Sequence, residues 1–157
     1  MNTNEILIKT LYTSFQEKDF STMKSCYADN ATFSDTIFPN LNANEVRYMW
    51  EMLLSRGKDL TLTFENIVAD DKKGSAIWIA NYSFSATGNK VTNVIEANFE
   101  FENGKIIRHI EKFDFYTWSR QALGYMGFFL GWTSFLHQKV QKTAHENLIK
   151  FINKNNS

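Results

Sequence analysis

Two hydrophobic periods divide this chain. Up to Gly57 apolar residues recur every three to four positions, and from Leu60 they recur every second position. Residues 3–18 place Leu7, Leu11 and Phe15 on one stripe flanked by Ile8 and Tyr12, which predicts an amphipathic helix. Asp19 or Ser21 can cap a short second helix holding Met23, Cys26 and Tyr27. Asp29-Asn30 breaks it, and a short strand follows around Thr32-Phe33. Asn42, with Glu45 three residues on, predicts the capped start of a third helix. Its apolar face is Val46, Met49, Trp50 and Leu53, and Gly57 suits the position after its end.

The period then changes. Leu60, Leu62 and Phe64 alternate with polar residues, and 70–74 is a turn. Over 76–87, Trp78, Ala80, Tyr82 and Phe84 face one way and Asn81, Ser83 and Ser85 the other. Val91, Asn93, Ile95, Ala97, Phe99 and Phe101 form the clearest half-buried strand. After Asn103-Gly104 the last strand puts Ile107, His109, Glu111, Phe113 and Phe115 on one face, with a helix starting near Trp118. Its outer surface is expected to carry Ile106, Ile110 and Tyr116 beside Arg108, Lys112 and Asp114, an amphipathic surface suited to a homodimer. Three helices followed by a meander predict an α+β domain, with a strongly curved antiparallel sheet wrapped around the N-terminal helices.

The tail reads differently. Trp118, Leu123, Met126, Phe129, Leu130, Trp132 and Phe135 form a glycine-punctuated aromatic patch, and a helix from about 133 to 154 follows with Val140, Ala144, Leu148 and Ile152 on one stripe. We expect a pocket domain over 1–124 and, over 125–157, an added segment and C-terminal helix. Leu123 to Phe135 should fold back over the cavity mouth or against a partner subunit, since so many rings are costly in water.

Composition narrows the function classes. Aromatic residues make up 15% of the chain, which points to a large core or a roomy apolar cavity, and so many rings on one sheet face suggest walls around a cavity. Tyr12, Phe15, Trp50, Tyr82, Phe84, Phe99, Phe113 and Trp118 are the candidate lining. The formal net charge is zero and no basic stripe stands out, which argues against nucleic acid. The longest apolar run is too short to span a bilayer, so no membrane partner is expected, and the lone Cys26 fits a cytoplasmic protein without disulfides. Three scattered histidines give no metal-ligand spacing, and no cofactor is expected.

The chemistry-bearing pair is His109 with Glu111. Same-face spacing on a strand brings them within contact, either as an acid–base pair in a cavity or as an ordinary solvated pair. Asp114 is either an acid or the N-cap of the following helix.

Two segments carry a family resemblance. Ala28-Asp-Asn-Ala-Thr-Phe-Ser-Asp35-Thr after two helices, and the Asp114, Trp118, Gln121 to Gly124 pattern closing a meander, resemble the cone-shaped superfamily of ketosteroid isomerase, SnoaL-like cyclases and nuclear transport factor 2. The closing pattern is most similar to SnoaL-like proteins. The resemblance covers roughly 3–124 and implies a cystatin-like cone fold. It matches Asp35 to the isomerase's catalytic base, and His109, Glu111 and Phe113 to its pocket lining. The two oxyanion donors are matched by Leu11 and Ala97, which cannot donate. Asp35 is thus either a general base or a turn residue accepting backbone N–H groups. Two function classes follow: a cofactor-free isomerase, cyclase or hydrolase acting on a small hydrophobic molecule through carboxylate and histidine, or a non-catalytic ligand-binding or interaction module.

Overall fold

A computed structural model describes residues 1–156; Ser157, the end of the expected tail segment, lies outside them. In chain order the elements are α1 (Thr3–Gln16), α2 (Phe20–Ser25), β1 (Tyr27–Ser34), β2 (Leu41–Asn42), α3 (Ala43–Arg56), β3 (Thr61–Ala69), β4 (Lys73–Ser83), β5 (Lys90–Glu102), β6 (Lys105–Lys112), α4 (Phe115–Leu123), α5 (Tyr125–Leu130) and α6 (Ser134–Asn155). The six strands form one curved, unclosed sheet in the order β2-β1-β6-β5-β4-β3, with α1 packed on β3 and α3 on β1. This is the expected α+β cone.

The helices start where side chains can satisfy their free N–H groups. Asn42 accepts from the Glu45 N–H at 2.8 Å and the Glu45 carboxylate accepts from the Asn42 N–H at 3.0 Å, a reciprocal cap that Asn2 and Glu5 repeat on α1. On α3, Val46, Met49 and Trp50 are buried as read, but Leu53 is exposed, and Met52 and Leu54 are buried instead. The helix sits between the sheet and α6, so its apolar surface is broader than one stripe.

Along β5 every second residue from Val91 to Phe101 is buried, as the alternation requires. Three departures matter. β1 begins at Tyr27, which the helical reading had placed in α2, and it pairs parallel with β6, so the sheet is not wholly antiparallel. The β5–β6 register slips between Glu100–Arg108 and Phe101–Ile106. Ile107 is the extra residue of this bulge, which turns Ile106 into the core rather than onto the outer face.

The third departure is the tail. Leu148 and Ile152 of α6 join the main core, and Leu136 joins a second cluster with Val91, Phe115, Trp118 and Ala122. The rings from Tyr125 to Phe135 do not fold back over the domain; Tyr125 is 85% and Trp132 76% exposed. The cause is local. A Cβ on Gly127 would lie 1.9 Å from the Ser119 carbonyl oxygen, and one on Gly131 2.2 Å from Ser119 Oγ. α5 therefore packs on α4 through its glycines and turns its large side chains outward.

Candidate functional site

The sheet and α3 converge on one buried polar network. Glu111, on β6, is 3% exposed, and its Oε2 meets three donors: Trp78 Nε1 at 2.7 Å, Tyr12 Oη at 3.3 Å and His109 Nε2 at 3.2 Å. His109 is fully buried, and its Nδ1 lies 2.8 Å from Tyr27 Oη, which accepts from Trp50 Nε1 at 2.9 Å. An indole can only donate, so the direction of the chain is set at both ends. Trp50 donates to Tyr27, Tyr27 donates to His109 Nδ1, and His109 Nε2–H donates to the Glu111 carboxylate. In that tautomer every proton has an acceptor. Rings enclose the network: Phe99 stacks on His109 at 4.2 Å between centroids, and Phe33 meets it edge-on at 5.0 Å. Burial pushes the Tyr12 and Tyr27 hydroxyls well above the ordinary phenol range, and the nearby Glu111 charge adds to it. Both phenols therefore stay protonated and serve as donors.

Asp35 follows β1 at a turn. Its Oδ1 accepts the backbone N–H groups of Ile37 at 2.7 Å and Phe38 at 2.5 Å, while Oδ2 takes part in no hydrogen bond among the described residues. Desolvation raises its pKa to about 7; the Phe38 N–H opposes that shift and the Glu111 charge reinforces it. The same Asp35 charge helps to raise Tyr82, whose hydroxyl accepts from Trp118 Nε1 at 2.8 Å and whose shift comes first from burial. The turn is pinned from outside by α6, where His137 Nε2 and Gln141 Nε2 donate to the Thr36 carbonyl at 2.7 and 3.1 Å.

The residues read from the sequence thus fall into two groups. Tyr12, Phe15, Trp50 and Phe99 lie in the main core around His109 and Glu111. Trp118 lies in the second cluster, and Phe84 packs on it. Half-buried Tyr82, Phe113 and Ile37 touch both clusters, and so mark the seam between them beside Asp35. Asp114 caps α4, accepting the Tyr116 and Thr117 N–H groups. Leu11 and Ala97 are core residues. The sequence reading missed the part played by Tyr27 and Trp78.

Two surface hollows, of about 360 and 330 Å³, lie elsewhere. The first is lined by Asp29, Arg47 and Lys105 among others, the second by Phe38, Pro39 and α6 residues; neither is lined by Asp35, His109 or Glu111. Among the described residues no group of three or more His, Cys, Asp or Glu side chains is placed to hold a metal ion.

Comparison with solved structures agrees with this architecture. A nuclear transport factor 2-like protein of unknown function from Burkholderia pseudomallei is 14% identical, with a TM-score of 0.68 over 77% of this chain and 98% of that one. IdmH, a proposed polyketide cyclase from Streptomyces antibioticus, is 19% identical, with a TM-score of 0.62 over 73% and 94%. An LEH-like epoxide hydrolase from M. tuberculosis is 15% identical, with a TM-score of 0.63 over 77% and 90%. At these identities the likeness establishes the fold alone. No protein of curated function matches the chain. The SnoaL-like domain model, however, matches residues 8–109, from the first turns of α1 to His109 at the heart of the network, and the chain belongs to the SnoaL-like family.

Proposed function

We propose that this SnoaL-like chain takes a small hydrophobic molecule at the seam formed by Ile37, Tyr82 and Phe113, and acts on it as a cofactor-independent isomerase, cyclase or hydrolase with Asp35 as the acid–base group. The observation that carries this reading is the state of Asp35. One oxygen is anchored by the turn, the other is uncommitted, and a carboxyl pushed up to about 7 holds and releases a proton near neutral pH. Glu111 is a positioning residue in this scheme: its Oε2 is taken up by three donors, and it acts through its charge on Asp35. His109 in turn holds Glu111. A carbonyl with an acidic α-hydrogen, or an epoxide, is the substrate class that such a base serves. Solved structures of similar fold bear the names of a polyketide cyclase and an epoxide hydrolase, which is in keeping with that class.

A second reading has its own observation. Every buried side-chain polar atom among the described residues has a partner, so the interior around His109 already works as a closed structural unit. That favours a ligand-binding module without chemistry. Incubation with apolar ketones in D2O, followed by NMR, separates the two. Base chemistry at Asp35 predicts loss of the α-proton signal, slowed about a hundredfold or more in Asp35→Asn, the usual scale for losing a general base. Epoxide opening followed by chromatography covers the hydrolase branch. Binding of these compounds without exchange or opening would establish the module.

A further inference from the structure

The surface of α5 and its flanks is the largest feature that neither core nor site absorbs. Tyr125, Met126, Phe128, Phe129, Trp132 and Phe135 are each more than half exposed, within eleven consecutive residues. Scattered exposed apolar residues need no explanation, but a contiguous patch of large rings does. This patch is also rigidly mounted. Gly127 and Gly131 press the α5 backbone onto Ser119, Tyr116 Oη donates to the Phe128 carbonyl at 3.1 Å, and Trp132 Nε1 donates to the Phe129 carbonyl at 3.0 Å. The rings are therefore held outward rather than left loose.

The charges around the patch decide what covers it. From Phe115 to His145 there is no Asp or Glu, while Arg120, Lys139 and Lys142 are all exposed. Lys139 follows Phe135 at a spacing of four and Lys142 follows Lys139 at a spacing of three, so they stand on the same side of α6. A two-fold contact between copies through this face would bring like charges together around its rim, with no carboxylate between Asp114 and Glu146 to meet them. An anionic surface meets them directly. Large aromatic rings on one face, Trp and Phe among them, bordered by basic side chains, are the composition that settles at the boundary between headgroups and acyl chains. No helix among the described residues is long and apolar enough to cross a bilayer, and lying on one asks for no such length.

We propose that the α5 face, with Phe135, Lys139 and Lys142 of α6, is a peripheral contact for an anionic lipid bilayer, with the rings entering the headgroup boundary and the basic residues meeting lipid phosphates. The test uses the full chain with vesicles of phosphatidylcholine alone and of phosphatidylcholine with phosphatidylglycerol at about seven to three. Co-sedimentation with the mixed vesicles is expected to exceed that with the neutral ones at least tenfold and to fall with added salt. Tryptophan emission should shift to the blue on binding, and the shift should vanish in Trp132→Phe. Phe128→Ser/Phe129→Ser/Trp132→Ser should abolish sedimentation, and Lys139→Glu/Lys142→Glu should reduce it at least tenfold. All five side chains are exposed, and unchanged circular dichroism checks that each variant folds. Equal sedimentation with both vesicle types, no sedimentation with either, or a dimer in light scattering that the triple serine variant abolishes would each overturn the proposal. The last outcome would assign the patch to a second copy of the chain.

Discussion

The indole N–H of Trp78 on β4 donates to Glu111 Oε2 on β6 at 2.7 Å, reaching across the strand between them. Ala97 of β5 pairs with Glu111 on one side and with Ala76 on the other, so two methyl groups leave the room in which indole and carboxylate meet. The family resemblance implies an acid at the Ala97 position. Here that position is a methyl, and the buried acid stands one strand over, with Tyr12 rather than its neighbour Leu11 supplying a phenol.

If that contact holds the network together, Trp78→Phe should cost about 1.5–3 kcal/mol, the range for a hydrogen bond to a charged group. The same change in a Glu111→Leu background should cost at least about 1 kcal/mol less, because the donor then has no carboxylate to satisfy. Urea melts of the four proteins give the coupling directly. Additive losses would mean that the indole contributes packing alone.

The donor chain also fixes the histidine tautomer. Tyr27 can give its one proton to His109 Nδ1 only if that nitrogen is bare, which leaves Nε2 to donate to Glu111. Long-range nitrogen–proton NMR of the neutral ring should show protonated Nε2 and unprotonated Nδ1. Tyr27→Phe should disturb that pattern and destabilise the chain by about 1–3 kcal/mol, since it orphans the Trp50 N–H. A ring protonated at Nδ1 in the unmodified chain would reverse the assignment.

What was legible in the sequence is what local rules determine. The Asn42–Glu45 cap and the β5 alternation each rest on near neighbours or on one period, and both appear as read. His109 and Glu111 of the last strand face inward as read, because they follow the same period, but the strand ends at Lys112 and Phe115 opens α4. The period failed at Ile106, where the extra residue Ile107 shifts the phase by one, and nothing in Gly104 to Arg108 announces a bulge. Tyr27 was misassigned because a helical period and a strand period coincide over a few residues around Cys26. The folding of the tail rings back over the cavity mouth failed for an energetic reason. Counting rings predicts burial, but the close approach of Gly127 and Gly131 to Ser119 decides which way the rings point. Asp35 accepts the Ile37 and Phe38 N–H groups, which is the turn reading of its sequence context, and its other oxygen makes no hydrogen bond among the described residues.

Asp35 should leave a signature in the pH dependence of stability. Folding raises its carboxyl from 3.8 to about 7, so between those values the folded chain holds a proton that the unfolded chain has released. The resulting stabilisation is full below about pH 4 and is lost as pH rises through 7. At about 1.4 kcal/mol per unit the ceiling is a few kcal/mol, and partial exposure of the turn lowers it. Asp35→Asn keeps an oxygen for the Ile37 and Phe38 N–H groups but carries no charge. It should therefore gain stability over the parent at pH 8 and little or nothing at pH 4. Thermal melts across that range test the sign; a parent chain that outlasts the variant more strongly at high pH would place a stabilising charge at Asp35.

Leu148 of α6 is fully buried in the main core beside α3, and Ile152 is nearly so, which makes the terminal helix a structural part of the cone. Leu148→Ala should cost about 2–5 kcal/mol, the usual range for emptying a filled core position. Removing residues 125–157 takes away Leu136, Leu148 and Ile152 together, at roughly 1.5–3 kcal/mol of burial each before ordering costs. It also removes the His137 and Gln141 donors that pin Thr36 beside Asp35. The shortened chain should melt far lower or aggregate, whereas Phe128→Ser/Phe129→Ser/Trp132→Ser should leave the melting temperature nearly unchanged, because those rings are exposed already. Calorimetry on the three proteins separates the two halves of the tail. A truncated chain with the parent's melting temperature would show α6 to be detachable, and a large loss in the triple variant would show that the exposed rings are bound to something in solution.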